Sequence, residues 1–303
     1  MSKYTLKQFQ TAYPNDDACL HQIFILRYGH LVSCPKCQKE PAFVKVKDRR
    51  SYQCPYCSYQ VYPTVGTIFE KSTTPLTSWF MAIYLHCSTR NGVAAKELER
   101  VLSVCYKTAL RMAHQIKIMM VETDFGQLMG EVMIDETYIG MLGKNMHGDR
   151  KKILLPKDAN GNKKSNKIGV MGMMGKDGKI ITKVLGVETH PDDTLKDIVI
   201  GNVHPDSVVV TDAYPPYKNL KKHFNKHVRV DHEKDEYVKD GFTTNNVENY
   251  WSTLKRMIKG THIHVSKKHL SKYVAENTFR YLRRNQPEKM FEKILEKMKD
   301  NDY

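Results

Sequence analysis

The stretch that decides the fold of the second half of the chain is VMIDETYIG, residues 132–140. Three apolar residues lead directly into Asp135 and Glu136, and such a run predicts a buried strand that ends in a carboxylate. A second stretch has the same form, because the apolar residues 208–210 lead through a threonine to Asp212. An acid at the end of a buried strand is costly unless a cation or hydrogen bonds stabilise it. The two stretches therefore predict adjacent strands whose acids could share a divalent ion.

The segments around these strands alternate between strand and helix patterns. Residues 168–174 and 180–187 are apolar strands, joined at the hairpin turn Lys176-Asp177-Gly178. Residues 192–200 favour a helix before the last strand, and the chain is helical again from Asn246 onward, with a break at a glycine. This order predicts a mixed α/β domain around an acidic centre.

The charge of the chain favours a polyanionic partner. Its 303 residues, enough for two or three small domains, carry a formal net charge of +15, and a hydrophobic content of 41% fits a folded protein. Residues 144–167 hold eight Lys or Arg against two acids, and residues 253–289 hold ten against two. Both stretches could bind nucleic acid through its phosphates, although a solvated basic surface is the simpler alternative. No apolar run is long enough for a membrane helix and no secretory signal begins the sequence, so we expect a cytoplasmic protein.

A third carboxylate, Glu248, comes from the helical part of the chain. Val247 and Trp251 belong to an apolar stripe with helical spacing, and Glu248 lies one residue off that stripe, at the border between core and cleft. Three carboxylates suit two Mg²⁺ ions, which prefer oxygen ligands. One ion would activate an attacking oxygen and the other would stabilise the leaving oxygen of a phosphodiester. Lys255 lies two turns further along the same face, where it could reach DNA beside the metals.

Simpler interpretations of these acids stay open. Asp212 could merely start the turn Asp-Ala-Tyr-Pro. Glu248 could belong to a capping box with Asn245 as the N-cap. Glu136 competes with Asp135, but adjacent strand residues face opposite ways, so one of the two should reach the site. A loop cluster could supply the third ligand instead; its acids are Glu233, Asp235 and Glu236.

Two cysteine pairs predict a zinc ribbon near the N-terminus. Cys34-Pro-Lys-Cys37 and Cys54-Pro-Tyr-Cys57 are separated by sixteen residues, and each pair can direct two thiolates at one ion. Such a closed site with four thiolates is structural, because it leaves no position for water, and it stabilises a module too short for its own core. Two unrelated thiol pairs are the alternative. The other cysteines stand alone and are assigned to the core or to no role; they are Cys19, Cys87 and Cys105.

Residues 75–120 predict three helices, of which the last two have the pattern of a helix-turn-helix. The first of these two covers about Val93–Leu102, and Ser103 lies in the turn and can cap the next helix. In a helix-turn-helix, the start of the second helix meets base edges and phosphates. An ordinary helical hairpin is the alternative. The side chains expected to contact DNA are Tyr106, Lys107, Thr108 and Arg111.

These motifs divide the chain into three predicted parts. Residues 1–70 hold an N-terminal helix and the zinc ribbon, and residues 71–122 hold the helix-turn-helix region. Residues 123–303 form the catalytic domain with basic C-terminal helices. The last helix, residues 287–298, has one apolar face. We expect that face to pack onto the catalytic core, and a dimer contact is the alternative.

Taken together, the motifs resemble those of bacterial insertion-sequence transposases of the DDE superfamily, in the group with an N-terminal zinc ribbon. The resemblance extends from about Cys19 to Arg284. One departure is Met141, which stands where a second glycine is expected. Besides the cysteines, the matching motifs are Thr64–Phe69, Pro75-Leu76-x-x-Trp79-Phe80, Tyr106–Ala109, Ile134–Gly140, Thr211–Tyr214, Val247-Glu248-x-x-Trp251-x-x-x-Lys255-Arg256 and His264-Val265-Ser266-x-x-His269-Leu270.

The resemblance implies a multidomain protein with a ribonuclease-H-like catalytic fold and a Mg²⁺ or Mn²⁺ cofactor. It implies cleavage at inverted-repeat ends, strand transfer into target DNA, and a homodimer or larger complex that joins two ends. Its catalytic acids would be Asp135, Asp212 and Glu248, its trailing basic residue Lys255, and Arg256 a further DNA contact. A zinc-ribbon regulator with structural acids and a metal-dependent nuclease without strand transfer remain the alternatives.

Overall fold

The computed structural model describes residues 4–40, 43–123, 126–140, 167–187, 192–212, 214–230 and 242–299. The chain forms two compact units. One unit combines Met1–Met119 with Asn285–Tyr303, and the other comprises Met120–Arg284. None of the described helices combines the length and the apolar character that crossing a membrane requires.

The first unit contains six α-helices, two short 3-10 helices at Pro287–Lys289 and Lys297–Lys299, and a small antiparallel sheet among its described residues. The strands pair in the order β1-β2-β3. Asp16 links two parts of the unit, because its carboxylate accepts the backbone N–H groups of Leu76 and Thr77, each over 2.9 Å. A carboxylate at the N-terminal end of a helix accepts hydrogen bonds from backbone N–H groups that have no partner within the helix. Its negative charge also interacts favourably with the positive end of the helix dipole. The elements are α1 Leu6–Ala12, α2 Asp16–Tyr28, β1 Val44–Lys45, β2 Tyr52–Gln53, β3 Gln60–Val61, α3 Leu76–Ser88, α4 Ala95–Leu102, α5 Tyr106–Met119 and, from the C-terminus, α9 Met290–Glu296.

The C-terminal helix α9 belongs to this first unit. Phe291 is buried and its ring contacts the rings of Phe9, Tyr13 and Phe80, with centroids 5.7, 5.7 and 6.1 Å away. The prediction that the last helix packs onto the catalytic core is therefore wrong. An apolar helix face predicts that the helix packs against something, but it does not predict the partner. Here the partner includes aromatic residues that are almost the whole chain away in sequence.

Helices α4 and α5 are joined by a short turn, close to the prediction. The first of them begins at Ala95, two residues later than expected. Ser103 does not cap the second helix, because it ends α4 in the left-handed conformation, with φ 52°. Cys105 occupies the position before α5, where its Sγ lies 3.2 Å from the hydroxyl of Thr108.

The second unit is built on a five-stranded mixed sheet in the order β6-β5-β4-β7-β8. Strand β4 pairs antiparallel with β5 and parallel with β7; β5–β6 is antiparallel and β7–β8 parallel. The predicted strands are present, but the prediction that the first of them ends at Asp135 is wrong, because β4 stays paired with β5 as far as Ile139 and Asp135 lies in its middle. The elements are β4 Glu131–Ile139, β5 Ile168–Gly175, β6 Ile180–Val187, α6 Asp192–Asn202, β7 Val208–Asp212, a 3-10 helix Pro215–Lys222, β8 Lys226–Val230, α7 Asn245–Met257, a π-helical turn Ile258–His262, a 3-10 helix Lys267–His269 and α8 Leu270–Leu282.

Each face of this sheet packs against its own helices, because successive strand residues point to opposite sides. Met133 and Val210 lie on one face, in a core with residues of α7 and α8. Ile134 and Val209 lie on the other face, in a core with residues of α6 and the 3-10 helix after β7. The alternation therefore decides which strand-end acids meet α7.

Candidate metal centres and nucleic-acid interface

The four ribbon cysteines form a compact thiol cluster. Their Sγ atoms all lie within 4.8 Å of one another. The Cys34–Cys57 and Cys37–Cys54 pairs are both 3.7 Å apart. Tetrahedral zinc with Zn–S bonds of about 2.3 Å requires S···S distances of about 3.8 Å. The cluster fits structural Zn²⁺, as the sequence predicts.

The two cysteine knuckles have the same backbone design. The N–H of Gln38 donates to the carbonyl of Cys34 over 2.9 Å, and Ser58 donates to Cys54 over the same distance. Gln38 and Ser58 share a φ of 58°. A positive φ at a residue with a side chain is uncommon. Its repetition directly after both C-x-x-C pairs shows that the chain folds each pair around one centre.

The sheet register brings Asp135 and Asp212 to neighbouring positions on one face. Ile134 of β4 lies beside Thr211 of β7 in the parallel ladder, so the next residue of each strand is the acid. Neighbouring strands are about 4.8 Å apart, and adjacent residues in a parallel register point to the same side. Asp135 alternates with Met133 and therefore points to the face that α7 covers.

Helix α7, which carries the third acid, packs on the same face of the sheet. Val247 and Trp251, which flank Glu248 in sequence, are buried in the core on that face. The indole Nε1–H of Trp251 donates a hydrogen bond to Asp135 Oδ2 over 2.9 Å. The helix residue three positions after Glu248 thus contacts the first acid directly.

Gly172 makes this close approach possible. It lies directly opposite Asp135 on β5. A Cβ at this position would stand 2.8 Å from Cζ2 of Trp251 and 3.2 Å from Cγ2 of Val247. The first distance is shorter than a van der Waals contact, so only a glycine leaves room for the indole against the sheet.

Burial, and to a smaller extent neighbouring negative charge, raises the pKa values of the two acids on β4. Burial raises the pKa of Asp135 to about 6, with a smaller contribution from the charges of Asp212 and Glu248, against hydrogen bonds from Trp251 and from the backbone that lower it. Burial, followed by the charges of Asp135 and Asp212, raises the pKa of Glu136 to about 8. Mutual repulsion of this kind is what a bound cation would relieve.

Glu136 lies on the face opposite Asp135. Its neighbour across the antiparallel ladder is Met171, a member of the core on the α6 side. Its Oε1 atom is buried and has no hydrogen-bond partner among the described residues. This placement agrees with the expectation that one of the two adjacent acids faces α7.

The local partners of the other two acids bear on the simpler interpretations. Asp212 Oδ1 accepts a hydrogen bond from the backbone N–H of Tyr214 over 3.0 Å. One oxygen of this carboxylate therefore has the role that the turn interpretation gives it. Glu248 accepts the hydroxyl of Thr244 over 3.0 Å. Thr244 is the N-cap of α7 and Asn245 lies inside the helix, so the capping box with Asn245 as N-cap is wrong.

The carboxylates are less tightly clustered than the thiols. Within the described parts of the chain, only the cysteines form a group of three or more potential ligands whose donor atoms lie within 4.8 Å of one another. The two ions of a two-metal site are about 3.5–4 Å apart. Carboxylates that bind different ions can therefore have donor atoms further apart than the donor atoms of the cysteine cluster. The acids of the alternative loop cluster, Met141 and residues 144–166 of the first basic stretch lie outside the described residues.

Lys255 and Arg256 are exposed near the end of α7. Lys255 lines a cleft of about 470 Å³ with Lys167, Lys259 and His264, and its apolar lining includes Ile258. The residues of β4 that border the cleft follow Asp135 on the same strand. Arg256 lies 3.4 Å from the hydroxyl of Ser252.

The residues predicted to read DNA differ in their accessibility. Lys107 is exposed, and Tyr106 is 41% exposed, with Lys96 Nζ 4.9 Å from its ring centroid. Thr108 is half-buried. Arg111 stacks over Trp79 at 5.5 Å and donates to Ser72 over 3.3 Å, so it also stabilises the helical unit itself.

Sequence reasoning missed two residues of the acidic site. The stripe containing Trp251 predicts a buried indole but not the acceptor of its N–H. Gly172 lies in an apolar strand. A glycine there indicates that another group approaches the strand backbone closely, but the sequence does not show which group. Both assignments needed the pairing of β4 with β5 and the position of α7.

The comparisons with known proteins agree with this architecture. A family model described as an ISXO2-like transposase domain matches residues 127–281. A model described as a transposase zinc-ribbon domain matches residues 14–60. An "Uncharacterized protein in transposable element ISH50" from Halobacterium salinarum is 24% identical over 255 residues, which cover 82% of this chain and 85% of that protein.

Proposed function

Since the chain belongs to the ISXO2-like transposase family, we propose that it cleaves DNA at the ends of a transposable element and joins the freed ends to target DNA. The observation that supports the proposal is the register of the mixed sheet, which pairs Asp135 and Asp212 on the face covered by α7. Glu248 belongs to α7, so all three acids are carried by elements on this face. We assign the three acids as the catalytic set, and the sheet with its helices as a ribonuclease-H-like core.

The donor set fits Mg²⁺ or Mn²⁺. It consists of carboxylate oxygens, which these ions prefer. Asp135 and Asp212 are half-buried and Glu248 is exposed, and burial, with a smaller contribution from the charges of the latter two, raises the pKa of Asp135. Two bound ions would supply Lewis-acid chemistry for in-line displacement at phosphorus. The chain contributes the position of the carboxylates: the hydrogen bond from Trp251 fixes the orientation of Asp135, and Thr244 fixes that of Glu248.

Basic residues complete the proposed site. Lys255 lies seven residues after Glu248, which is about 10 Å along the helix, so it can bind a phosphate next to the one that reacts. Arg256 is assigned to the DNA backbone. Tyr106, Lys107, Thr108 and Arg111 are assigned to recognition of the element's ends in a helix-turn-helix, in which Arg111 also supports the fold. The zinc ribbon has a structural role, and synapsis of two ends requires a dimer or larger complex.

The test uses the full chain with a labelled duplex that carries one end of the element. We expect Mg²⁺-dependent strand cleavage, and joining of the cleaved strand to a target plasmid. Asp135→Asn, Asp212→Asn and Glu248→Gln should abolish both products while DNA binding and the melting temperature persist. Asp206→Asn is the matched control, because Asp206 is 85% exposed before the opposite end of β7.

The outcomes separate the alternatives. Cleavage without joining at any target concentration would identify a metal-dependent nuclease. Sequence-specific binding without cleavage in Mg²⁺ or Mn²⁺ would identify a regulator, and the acids would then have only a structural role. Wild-type activity in all three acid variants would overturn the proposed catalytic set.

A further inference from the structure

The segment that follows α7 contains an unusual backbone sequence. The helix passes into the π-helical turn Ile258–His262. Ile263 comes next, with φ 61° and ψ −53°, and the N–H of His264 donates to the carbonyl of His262 over 2.6 Å. These values describe a γ-turn of the rare positive-φ type. A β-branched residue is the least suited to such a conformation, because its side chain crowds the backbone.

Buried contacts hold this turn in place. The His262 side chain is 5% exposed and lies 3.8 Å from the carboxylate of Glu276, which is fully buried. Its ring contacts the ring of Tyr273, with centroids 4.6 Å apart. Arg280 forms a salt bridge with Glu276 at 3.2 Å. A strained residue persists where its surroundings determine its conformation, and here they lock the residue directly before Ile263.

The strain does not serve packing. Ile263 is 83% exposed, so its side chain gains almost nothing from the core. It stands instead at the rim of the cleft that is lined by Lys167, Lys255 and Lys259, and none of the described residues lining this cleft is acidic. The turn holds an apolar side chain in solvent beside several lysines. Such a surface suits a ligand with negative charges on its outside and apolar groups in its interior. Duplex DNA has that chemistry, with charged phosphates outside and stacked bases inside.

We propose that Ile263 is a wedge that inserts between two bases of the DNA while the cleft lysines bind the neighbouring phosphates. Apolar side chains, isoleucine among them, unstack base steps in this way in proteins that distort DNA. Lys255 lies about 10 Å along α7 from Glu248, and successive base pairs rise about 3.4 Å, which places the phosphate bound by Lys255 about three base pairs from the phosphate at the acids. This inference rests on the proposed function, since it requires DNA at the acidic site.

The experiment detects unstacking without requiring cleavage. End duplexes carry 2-aminopurine, whose fluorescence rises when it unstacks, at each of the first six positions on either side of the cleavage site. The full chain is added in Ca²⁺, and binding is measured separately by anisotropy. We expect wild-type protein to raise the fluorescence at one or two adjacent positions. The Ile263→Ala variant should still bind the duplex, but its fluorescence rise should be less than half of the wild-type rise. Met129→Ala is the control and should match wild type, because Met129 is 66% exposed and lies before the N-terminal end of β4.

Two further variants keep the test decisive. Ile263→Gly removes the side chain and the strain together, so it should lose the fluorescence rise like Ile263→Ala and yet melt at a higher temperature. Lys259→Ala should reduce the slope of log affinity against log salt by about one, whereas Ile263→Ala should leave that slope unchanged. Absence of a rise at every position with wild-type protein that binds and cleaves, or a full rise with both Ile263 variants, would overturn the wedge and leave the proposed function standing. Failure of wild-type protein to bind the ends would overturn both.

Discussion

Trp251 donates its indole N–H to the carboxylate of Asp135 over 2.9 Å, which links the helix that carries Glu248 to the strand that carries the first acid. Because a carboxylate oxygen held by a donor has a fixed orientation, this bond would orient Asp135 for the metal of the proposed site.

Trp251→Phe tests this relationship, because phenylalanine keeps most of the ring and removes the donor. Partners that orient metal ligands typically contribute 10–100-fold to metal affinity. We therefore expect the Mg²⁺ concentration for half-maximal cleavage to rise by about tenfold, with most of the rate recovered at saturating Mg²⁺. An unchanged Mg²⁺ midpoint with a uniformly lower rate would assign Trp251 to packing alone.

Gly172→Ala should disturb the same contact from the opposite strand. The added Cβ would stand 2.8 Å from the indole, so Trp251 must shift, and overpacking of this kind costs about 1–3 kcal/mol of unfolding free energy. Gly201→Ala in α6 is the matched control, because nothing lies within 4 Å of its new Cβ and alanine favours a helix by about 1 kcal/mol. Denaturant unfolding of both variants checks the prediction, which equal stabilities would contradict.

The zinc site predicts a difference between two cysteine substitutions. Cys37→Ser removes a ligand from the thiol cluster, and we expect the variant to lose its zinc and the cooperative unfolding of the ribbon. Cys105→Ser changes an exposed thiol outside the cluster and should retain one zinc ion per chain. Metal content measured after gel filtration decides the matter. Full zinc occupancy in Cys37→Ser would show that this cysteine is not a ligand.

His227 predicts part of the pH dependence of stability. Burial, with the nearby charge of Arg229, lowers the pKa of His227 from 6.5 to about 4. Between these values the unfolded chain binds a proton that the folded chain does not, so stability falls as the pH decreases from 6.5 towards 4. His227→Gln should lose less stability over this window, measured as melting temperature against pH. Parallel curves for the variant and wild type would contradict this contribution.

The strands and their acids could be predicted from sequence because each signal is local. An apolar run that leads into an acid predicts a strand and a candidate ligand, as at Asp135, although β4 continues beyond this residue to Ile139; two C-x-x-C pairs predict a zinc ribbon. Partners distant in sequence could not be predicted in this way. Phe291 packs in the N-terminal unit, Gly172 makes room for an indole on another element, and the backbone of Ile263 has no sequence signature.

The most direct test of the proposed acidic site is anomalous diffraction from crystals of the protein bound to its DNA ends and soaked in Mn²⁺. Data collected above the zinc edge provide an internal control, because a peak must appear among the four cysteines. We expect Mn²⁺ peaks within coordination distance of Asp135, Asp212 and Glu248, two of them about 3.5–4 Å apart. A zinc peak without manganese at these acids, or manganese held by other residues, would contradict the assignment of this set as the catalytic metal site.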